Sequence, residues 1–132
     1  MSTIPDGLRY TKTHEWGRWE TKGEVMVGIS DHAQSELKDI VFVELPAVGR
    51  TVQAAEACAV VESVKAAFDI YAPVSGTITR VNTALGKSPQ LINQDPYGQG
   101  WFFALQPSDP KEKEQLMGPA DYAKLLTAEA TH

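Results

Sequence analysis

The stretch Ala59–Gly76, AVVESVKAAFDIYAPVSG, decides the fold because it places one lysine between two strand-like runs. The first run ends at Ser63, and the second ends in a proline and a glycine. This pattern predicts two antiparallel strands joined by a hairpin, with Lys65 at its tip. The turn contains no Asn-Gly or Asp-Gly pair, so standard turn chemistry does not predict it, and the small residues after the lysine only permit it. Taken alone, a lysine in such a turn is an ordinary solvated side chain.

Short runs rich in valine, isoleucine and aromatic residues recur through the first hundred residues. Proline and glycine separate them, as is typical of turns between strands. The runs are Glu24–Ile29, Asp39–Leu45, Ala57–Ser63, Phe68–Ala72, Gly76–Val81 and Trp101–Leu105. Many short strands at close spacing predict a mainly β fold, with antiparallel sheets arranged as a sandwich or barrel.

Two segments of the sequence, residues 30–38 and the C-terminal part from Asp109 onward, carry residues typical of helix starts. Residues 30–38, SDHAQSELK, offer Ser30 or Asp31 as an N-cap and two apolar residues four positions apart. Near the C-terminus, Asp109 can cap a helix and Glu112 can complete a capping box. Pro119 can open a last helix. Its apolar stripe, which predicts a face docked on the sheet, consists of Tyr122, Leu125 and Leu126.

Length and composition fit one globular domain. The chain has 132 residues, 42% hydrophobic and 22% charged. We predict a single domain over residues 1–132, with a strand-rich core over about 8–106 and a helical cover over about 109–129.

The net charge of -5 argues against nucleic acid or an anionic membrane as a partner. No apolar run approaches the roughly 18 residues of a membrane span. The N-terminus resembles neither a signal nor a transit peptide, so we expect a cytoplasmic protein.

The residues that could carry chemistry of their own form no known catalytic or metal motif. His14 and Glu15 begin HEWGR, which lacks the second histidine of a zinc H-E-x-x-H motif. We expect His32 to be exposed on the first helix. Cys58, the single cysteine, is expected to be a buried, inert thiol. No nucleophile–base pair or phosphate loop appears, so the sequence predicts a non-catalytic protein without a metal site.

Several long segments resemble one family. ESVKA followed by PVSG is similar to the lipoyl-attachment segment of the H proteins of the glycine cleavage system. Five further segments look like that family's, in its order: LRYTKTHEW (8–16), VGISDHAQSEL (27–37), DIVFVELPAVG (39–49), LINQDPYGQGW (91–101) and YAKLL (122–126). The resemblance covers about residues 5–126. It implies a flattened antiparallel barrel-sandwich hybrid of the lipoyl/biotinyl type, with C-terminal helices.

The resemblance implies roles for particular residues. Lys65 would carry lipoate as a covalent lipoyl-lysine. The rest of the attachment signature would be Glu62, Ser63, Val64 and Ala66. In the family, a cleft for the aminomethyl-loaded arm is lined by a serine or threonine and a glutamate around the HEW motif, with an aspartate after the lysine. The matching positions are Thr13, Glu15 and Asp69. Without the resemblance, the two carboxylates would be taken as solvated surface groups.

The implied function is that of a lipoyl-bearing carrier. It would take the aminomethyl group of glycine from a pyridoxal-phosphate-dependent glycine decarboxylase to a tetrahydrofolate-dependent aminomethyltransferase. Dihydrolipoamide dehydrogenase would then receive the electrons. A lipoate ligase or lipoyl synthesis enzymes would modify the lysine. The chain itself would be a monomer and a substrate of these enzymes, without catalytic residues.

Two alternatives remain open from the sequence. One is a lipoyl or biotinyl module that serves another multienzyme complex, although biotin sites usually flank the lysine with methionine, and the flanks here are Val64 and Ala66. The other is a homologue that relays lipoyl groups to other complexes. One departure from the family concerns Lys38, which stands where glycine is common. We expect it to cost little, provided that its backbone angles are ordinary.

Overall fold

Two antiparallel β-sheets form the body of the computed structural model, which describes residues 3–130. Within that range the strands are β1 (Arg9–Tyr10), β2 (Glu15–Trp19), β3 (Val25–Ile29), β4 (Ile40–Glu44), β5 (Thr51–Val52), β6 (Ala57–Ser63), β7 (Ala67–Tyr71), β8 (Gly76–Val81) and β9 (Phe103–Pro107). One sheet has the order β1-β2-β3-β9-β8-β5 and the other the order β4-β6-β7. All of these pairings are antiparallel, which confirms the predicted fold class.

Short helices connect and cover the sheets. They are α1 (Asp31–Leu37), α2 (Leu91–Gln94) and α3 (Pro119–Ala130), with 3-10 helices at Thr83–Gly86 and Pro110–Gln115. The predicted first helix is α1, and Ser30 is its N-cap, because Ser30 Oγ accepts a hydrogen bond from Ala33 N at 3.1 Å. In the part of the chain that is described, no helix is long and apolar enough to cross a membrane.

The core has two parts. The larger part draws apolar side chains from both sheets, among them Val27, Ile29, Val61, Ile70 and Leu105. The smaller part lies under α3, where the rings of Tyr10 and Tyr122 stack with their centroids 4.5 Å apart. Leu125 and Leu126 pack against this second cluster. The predicted docking face of the last helix is therefore confirmed.

Strand boundaries follow the sequence pattern closely where the runs are long. Ala57–Ser63 and Gly76–Val81 are reproduced to the residue. The last strand lies two residues later than predicted and begins at Phe103, so Trp101 is outside it. Three strands, β1, β2 and β5, were not among the predicted runs. The strands β1 and β5 have only two residues and carry no alternation that a sequence pattern can reveal, and the central residues of β2 are Gly17 and Arg18, which interrupt its apolar pattern.

The C-terminal cover is held to the sheet by a carboxylate. Asp109 caps the 3-10 helix, since its Oδ1 accepts a hydrogen bond from Lys111 N at 3.0 Å. The predicted capping box is wrong, because Glu112 reaches across the fold instead. Its two carboxylate oxygens accept from Ser75 N at 2.7 Å and from Ser75 Oγ at 2.9 Å. Two charge-assisted hydrogen bonds thus tie the cover to the turn before β8.

Lys38 ends α1 in a backbone conformation that favours glycine. Its φ is 64° and its ψ is -140°, so the expectation of ordinary backbone angles is wrong. The neighbouring side chain of Asn93 holds this exit. Asn93 Nδ2 donates to Lys38 O at 2.6 Å, and Asn93 Oδ1 accepts from Ile40 N at 3.0 Å. A residue with a Cβ in this region is strained, and these bonds hold it there.

We expect Lys38→Gly to raise the free energy of unfolding by about 1 kcal/mol. Relief of backbone strain contributes roughly 1–3 kcal/mol, and the greater freedom of glycine in the unfolded chain offsets roughly 0.5–1 kcal/mol of it. Urea denaturation of the two proteins measures the difference. Lys38→Ala is the matched control, since it removes the same side chain but keeps the Cβ, and it should leave stability nearly unchanged. Equal effects of the glycine and alanine variants would contradict the strain.

Candidate functional site

A serine hydroxyl builds the hairpin that presents the lysine. Glu62 of β6 pairs with Ala67 of β7, and Ser63 N donates to Ala66 O at 2.9 Å. Ser63 Oγ accepts from the backbone N–H groups of Lys65 and Ala66, both at 3.3 Å. Serine can thus close a turn with its own side chain, without a residue of positive φ. This local bonding explains how the hairpin forms without an Asn-Gly or Asp-Gly pair.

The tip of this hairpin is open to solvent. Val64, Lys65 and Ala66 are all exposed, and 66% of the Val64 surface is accessible. Among residues 3–130, no other group forms an ion pair or hydrogen bond with the Lys65 side chain. The predicted position of Lys65 at a projecting tip is confirmed. Its ammonium group is therefore accessible from solvent.

A tight turn joins β1 to β2 beside this hairpin. His14 N donates to Thr11 O at 3.1 Å, and Thr11 N donates to Glu15 O at 3.0 Å. His14 has a φ of 75°, in the left-handed region. A three-residue connection of this kind usually ends in a left-handed residue, a position that histidine tolerates better than most residues with a Cβ. The turn directs Thr13 and the first side chain of β2 toward β7.

Glu15 is a buried carboxylate held by hydrogen bonds from the preceding turn and from β7 of the other sheet. Only 1% of its surface is exposed. Its Oε1 accepts from the hydroxyls of Thr11 and Thr13, both at 2.5 Å, and its Oε2 accepts from Tyr71 N of β7 at 3.1 Å. Burial outweighs these bonds and raises the pKa of Glu15 above its ordinary value of 4.5. The alternative of a solvated surface carboxylate is therefore wrong for Glu15, whereas Asp69 is exposed.

Two neighbouring cavities lie beside the turn before β2, with volumes of about 480 and 460 Å³. Thr13 and Tyr71 line both of them. Asp69 lines the larger cavity together with apolar side chains that include Phe68. Glu15 lines the smaller one. The structure thus brings Thr13 and Glu15 into direct contact and places Asp69 on the wall of the adjoining cavity.

A cluster that the sequence did not reveal lies on the rim of the larger cavity. His14 Nε2 is 3.3 Å from Glu129 Oε1, and His32 Nε2 is 3.9 Å from the same oxygen. His32 was expected to be exposed, but only 20% of its side-chain surface is accessible. Burial, which outweighs the attraction of Glu129, lowers the pKa of His14. The three residues are far apart in sequence, so no local motif could have grouped them.

The single cysteine of the chain is buried and has a raised pKa. Cys58 is 6% exposed within β6, and burial raises its pKa to about 12. The prediction of a buried thiol is confirmed. A thiol with so high a pKa has almost no thiolate at neutral pH and is therefore a poor nucleophile.

Known proteins match this chain over nearly its whole length. A family model described as "Glycine cleavage H-protein" matches residues 8–129. The chain is 56% identical over 129 residues to the glycine cleavage system H protein of Alkalilimnicola ehrlichii, with 98% of this chain and 99% of that protein covered. It is 55% identical over 130 residues to the H protein of Xanthomonas campestris pv. campestris, again with 98% and 99% covered.

A solved structure gives the same result for the fold. The crystal structure of a glycine cleavage system H protein from Mycobacterium marinum superposes with a TM-score of 0.85 at 43% sequence identity. The alignment covers 92% of this chain and 97% of that one. With sequence and fold in agreement along the same residues, this chain belongs to the glycine cleavage H-protein family.

Proposed function

We propose that this chain is the lipoyl-bearing carrier of a glycine cleavage system, with Lys65 as its attachment site. Membership of the H-protein family supports the carrier role, since this family consists of lipoate-carrying subunits of that system. The observation that carries the assignment to Lys65 is its exposed position at the hairpin tip, free of partners within the described residues. Amide formation there removes one charge and breaks no contact of the folded chain.

When attached, the lipoyl group would supply a disulfide that accepts the aminomethyl group together with two electrons, and the dithiol left after that group has been passed on would give up the two electrons. The lysine and this group together have a reach on the order of 14 Å from the Cα. An arm of that length can enter an active site while the β6–β7 hairpin stays at its entrance. The proposed partners are glycine decarboxylase, aminomethyltransferase and dihydrolipoamide dehydrogenase, which would use the tip in turn. Lipoate ligase or lipoyl synthesis enzymes would modify Lys65 first.

Glu15 supports a role for the adjoining cavities in holding a cationic amine. Within residues 3–130 this buried carboxylate forms no ion pair. A buried charge without a counter-ion is destabilising, and an ammonium group placed beside it relieves that cost. Thr13 fixes the carboxylate through its hydroxyl, and Asp69 offers a second carboxylate from the next cavity. We propose that these three residues receive the ammonium end of the carried group and shield it from water.

Lys65→Arg should abolish lipoylation without affecting the fold. Arginine keeps the positive charge but does not form the amide, and a change at an exposed tip usually alters stability by less than about 0.5 kcal/mol. Intact-mass measurement after treatment with lipoate ligase gives the result directly. Lys22→Arg is the matched control, because Lys22 is equally exposed in another turn, between β2 and β3. A lipoyl mass increment that persists in the Lys65 variant would refute the assignment.

The unpaired charge of Glu15 should also appear in the pH dependence of stability. Because its pKa is raised on folding, the folded chain holds this proton at a pH where the unfolded chain has released it. The stability that the proton provides is complete below the unfolded pKa and is lost as pH rises through the folded pKa. Raising the pH from 4 to 7 should therefore lower the unfolding free energy of wild type relative to that of Glu15→Gln.

Glu24 provides a control of opposite sign for this measurement. Hydrogen bonds from Arg80 lower the pKa of Glu24, so its contribution is lost as pH falls. In urea denaturation, raising the pH over the same interval should increase the unfolding free energy of wild type relative to that of Glu24→Gln. If the two variants show the same trend, the pKa of Glu15 is not raised, and its burial leaves no uncompensated charge for an ammonium group to relieve.

Replacing either cavity carboxylate by its amide should speed the loss of the carried group. A hydrogen bond to a charged group is worth roughly 1.5–3 kcal/mol, against about 1 kcal/mol for a neutral one. With Glu15→Gln or Asp69→Asn, formaldehyde and ammonia should appear faster from the isolated loaded protein, about two- to thirtyfold if the difference is roughly 0.5–2 kcal/mol. Lipoylation of Lys65 should be unchanged in both. Glu114→Gln, at an exposed carboxylate that lines neither cavity, serves as the control. Equal release rates in all four proteins would remove Glu15 and Asp69 from the site.

A further inference from the structure

Two histidines and a glutamate from three separate elements meet at one point on the surface. His14 lies in the turn before β2, His32 on α1, and Glu129 in the last turn of α3. One ligand atom from each lies within 4.8 Å of the other two. The ring centroids of His14 and His32 are 4.9 Å apart. No step of the proposed carrier function uses this cluster.

The spacing of these atoms is close to that of a metal coordination shell. A tetrahedral zinc ion with bonds of about 2.0–2.1 Å has its ligand atoms about 3.3 Å apart. The His14 Nε2–Glu129 Oε1 distance is 3.3 Å, and the His32 Nε2–Glu129 Oε1 distance is 3.9 Å. Binding of one ion would require side-chain rotations that bring the His32–Glu129 pair, and the two histidine ligand atoms, which lie within 4.8 Å of each other, closer together. We propose that His14, His32 and Glu129 bind one divalent transition-metal ion of the zinc class.

The fold orients His14 for this role. Its Nδ1 is 2.8 Å from Tyr122 Oη, which is in turn 2.6 Å from Ser30 Oγ. When Nδ1 carries the ring proton and donates it to Tyr122, the lone pair of Nε2 is available to a metal. Ser30 N also donates to His14 O at 2.9 Å and holds the left-handed turn in place. Buried partners of this kind orient the histidine ligands of known metal sites.

A fourth ligand would complete the tetrahedral coordination of the ion. Glu36 Oε1 lies 3.2 Å from His32 Nε2, but Glu36 is largely exposed, so either its carboxylate or water can complete the shell. Imidazole ligands favour zinc, copper or nickel over magnesium and calcium. All four side chains line the larger cavity. The ion would therefore sit on the cavity rim and tie α3 to α1 and to the turn before β2.

Calorimetric titration of the full chain, unlipoylated, tag-free and stripped with a chelator, tests the site with Zn²⁺ as the probe. We expect one ion per chain. His32→Ala, His14→Asn and Glu129→Gln should each weaken binding at least tenfold, because each removes a ligand. Asparagine tolerates the left-handed backbone of residue 14, so that variant keeps the turn. Co²⁺ in place of Zn²⁺ should give the absorption bands of a four-coordinate ion.

Two further variants separate a built site from incidental binding. Tyr122→Phe keeps the ring stacked on Tyr10 but removes the hydroxyl that orients His14, and it should weaken Zn²⁺ binding about ten- to hundredfold. Glu114→Gln changes an exposed carboxylate outside the cluster and should leave affinity unchanged. The proposal is overturned by absence of Zn²⁺ binding in the wild type, by full affinity in His32→Ala, or by an equal loss in Glu114→Gln. Because the protein is unlipoylated, none of these results depends on the carrier role.

Discussion

The buried carboxylate of Glu15 is the contact on which the site depends, because it joins the two sheets. Its backbone belongs to β2 of the six-stranded sheet, and its Oε2 accepts a hydrogen bond from Tyr71 N on β7 of the other sheet. Its Oε1 accepts from two threonine hydroxyls of the preceding turn. A neutral apolar residue at this position would leave a backbone N–H and two hydroxyls without their acceptor, each at a cost of about 1–3 kcal/mol if buried. The two carboxylate oxygens are therefore part of the architecture as well as of the proposed chemistry.

The hairpin that carries Lys65 obeys a different constraint. It must be rigid enough to present one side chain and must leave that side chain without contacts. Ser63 meets both needs, because its hydroxyl bonds to the two N–H groups that follow, while the side chains of Val64 and Lys65 remain in solvent. The rigidity comes from bonds within the backbone and from the pairing of β6 with β7. Modification of the lysine therefore requires no rearrangement of the fold.

The features that the sequence predicted are those set by neighbouring residues. The alternation in β6 and β8, the Ser30 cap and the apolar stripe of α3 all follow from local periodicity or local hydrogen bonding. The failures have long-range causes. Glu112 bonds to Ser75, 37 residues away, instead of to its own helix. Lys38 takes a glycine-like conformation held by a side chain 55 residues further on. Local pattern cannot reveal such contacts.

In the candidate site, too, some residues could be found from the sequence, while their burial and mutual contacts appear only in the structure. Resemblance to the family identified Thr13, Glu15 and Asp69, but only the structure shows that Glu15 is buried and Asp69 exposed. His14 was set aside because HEWGR lacks the second histidine of a zinc motif, and His32 because it was expected to be exposed on the first helix. Their ligand atoms approach each other only after β2, α1 and α3 have packed together.

The C-terminal helix consequently has a role beyond covering apolar surface. Tyr122 buries its ring against Tyr10 while its hydroxyl bonds to both His14 and Ser30, the N-cap of α1. Glu129, two turns later, reaches the rim of the larger cavity from the same helix. Docking of α3 thus fixes the turn that positions Thr13 and Glu15 and supplies one wall of the cavity beside them. A β-sandwich with the same lysine hairpin but no such helix would lack this wall, so the proposed sheltering of the carried amine depends on α3 as much as on the hairpin.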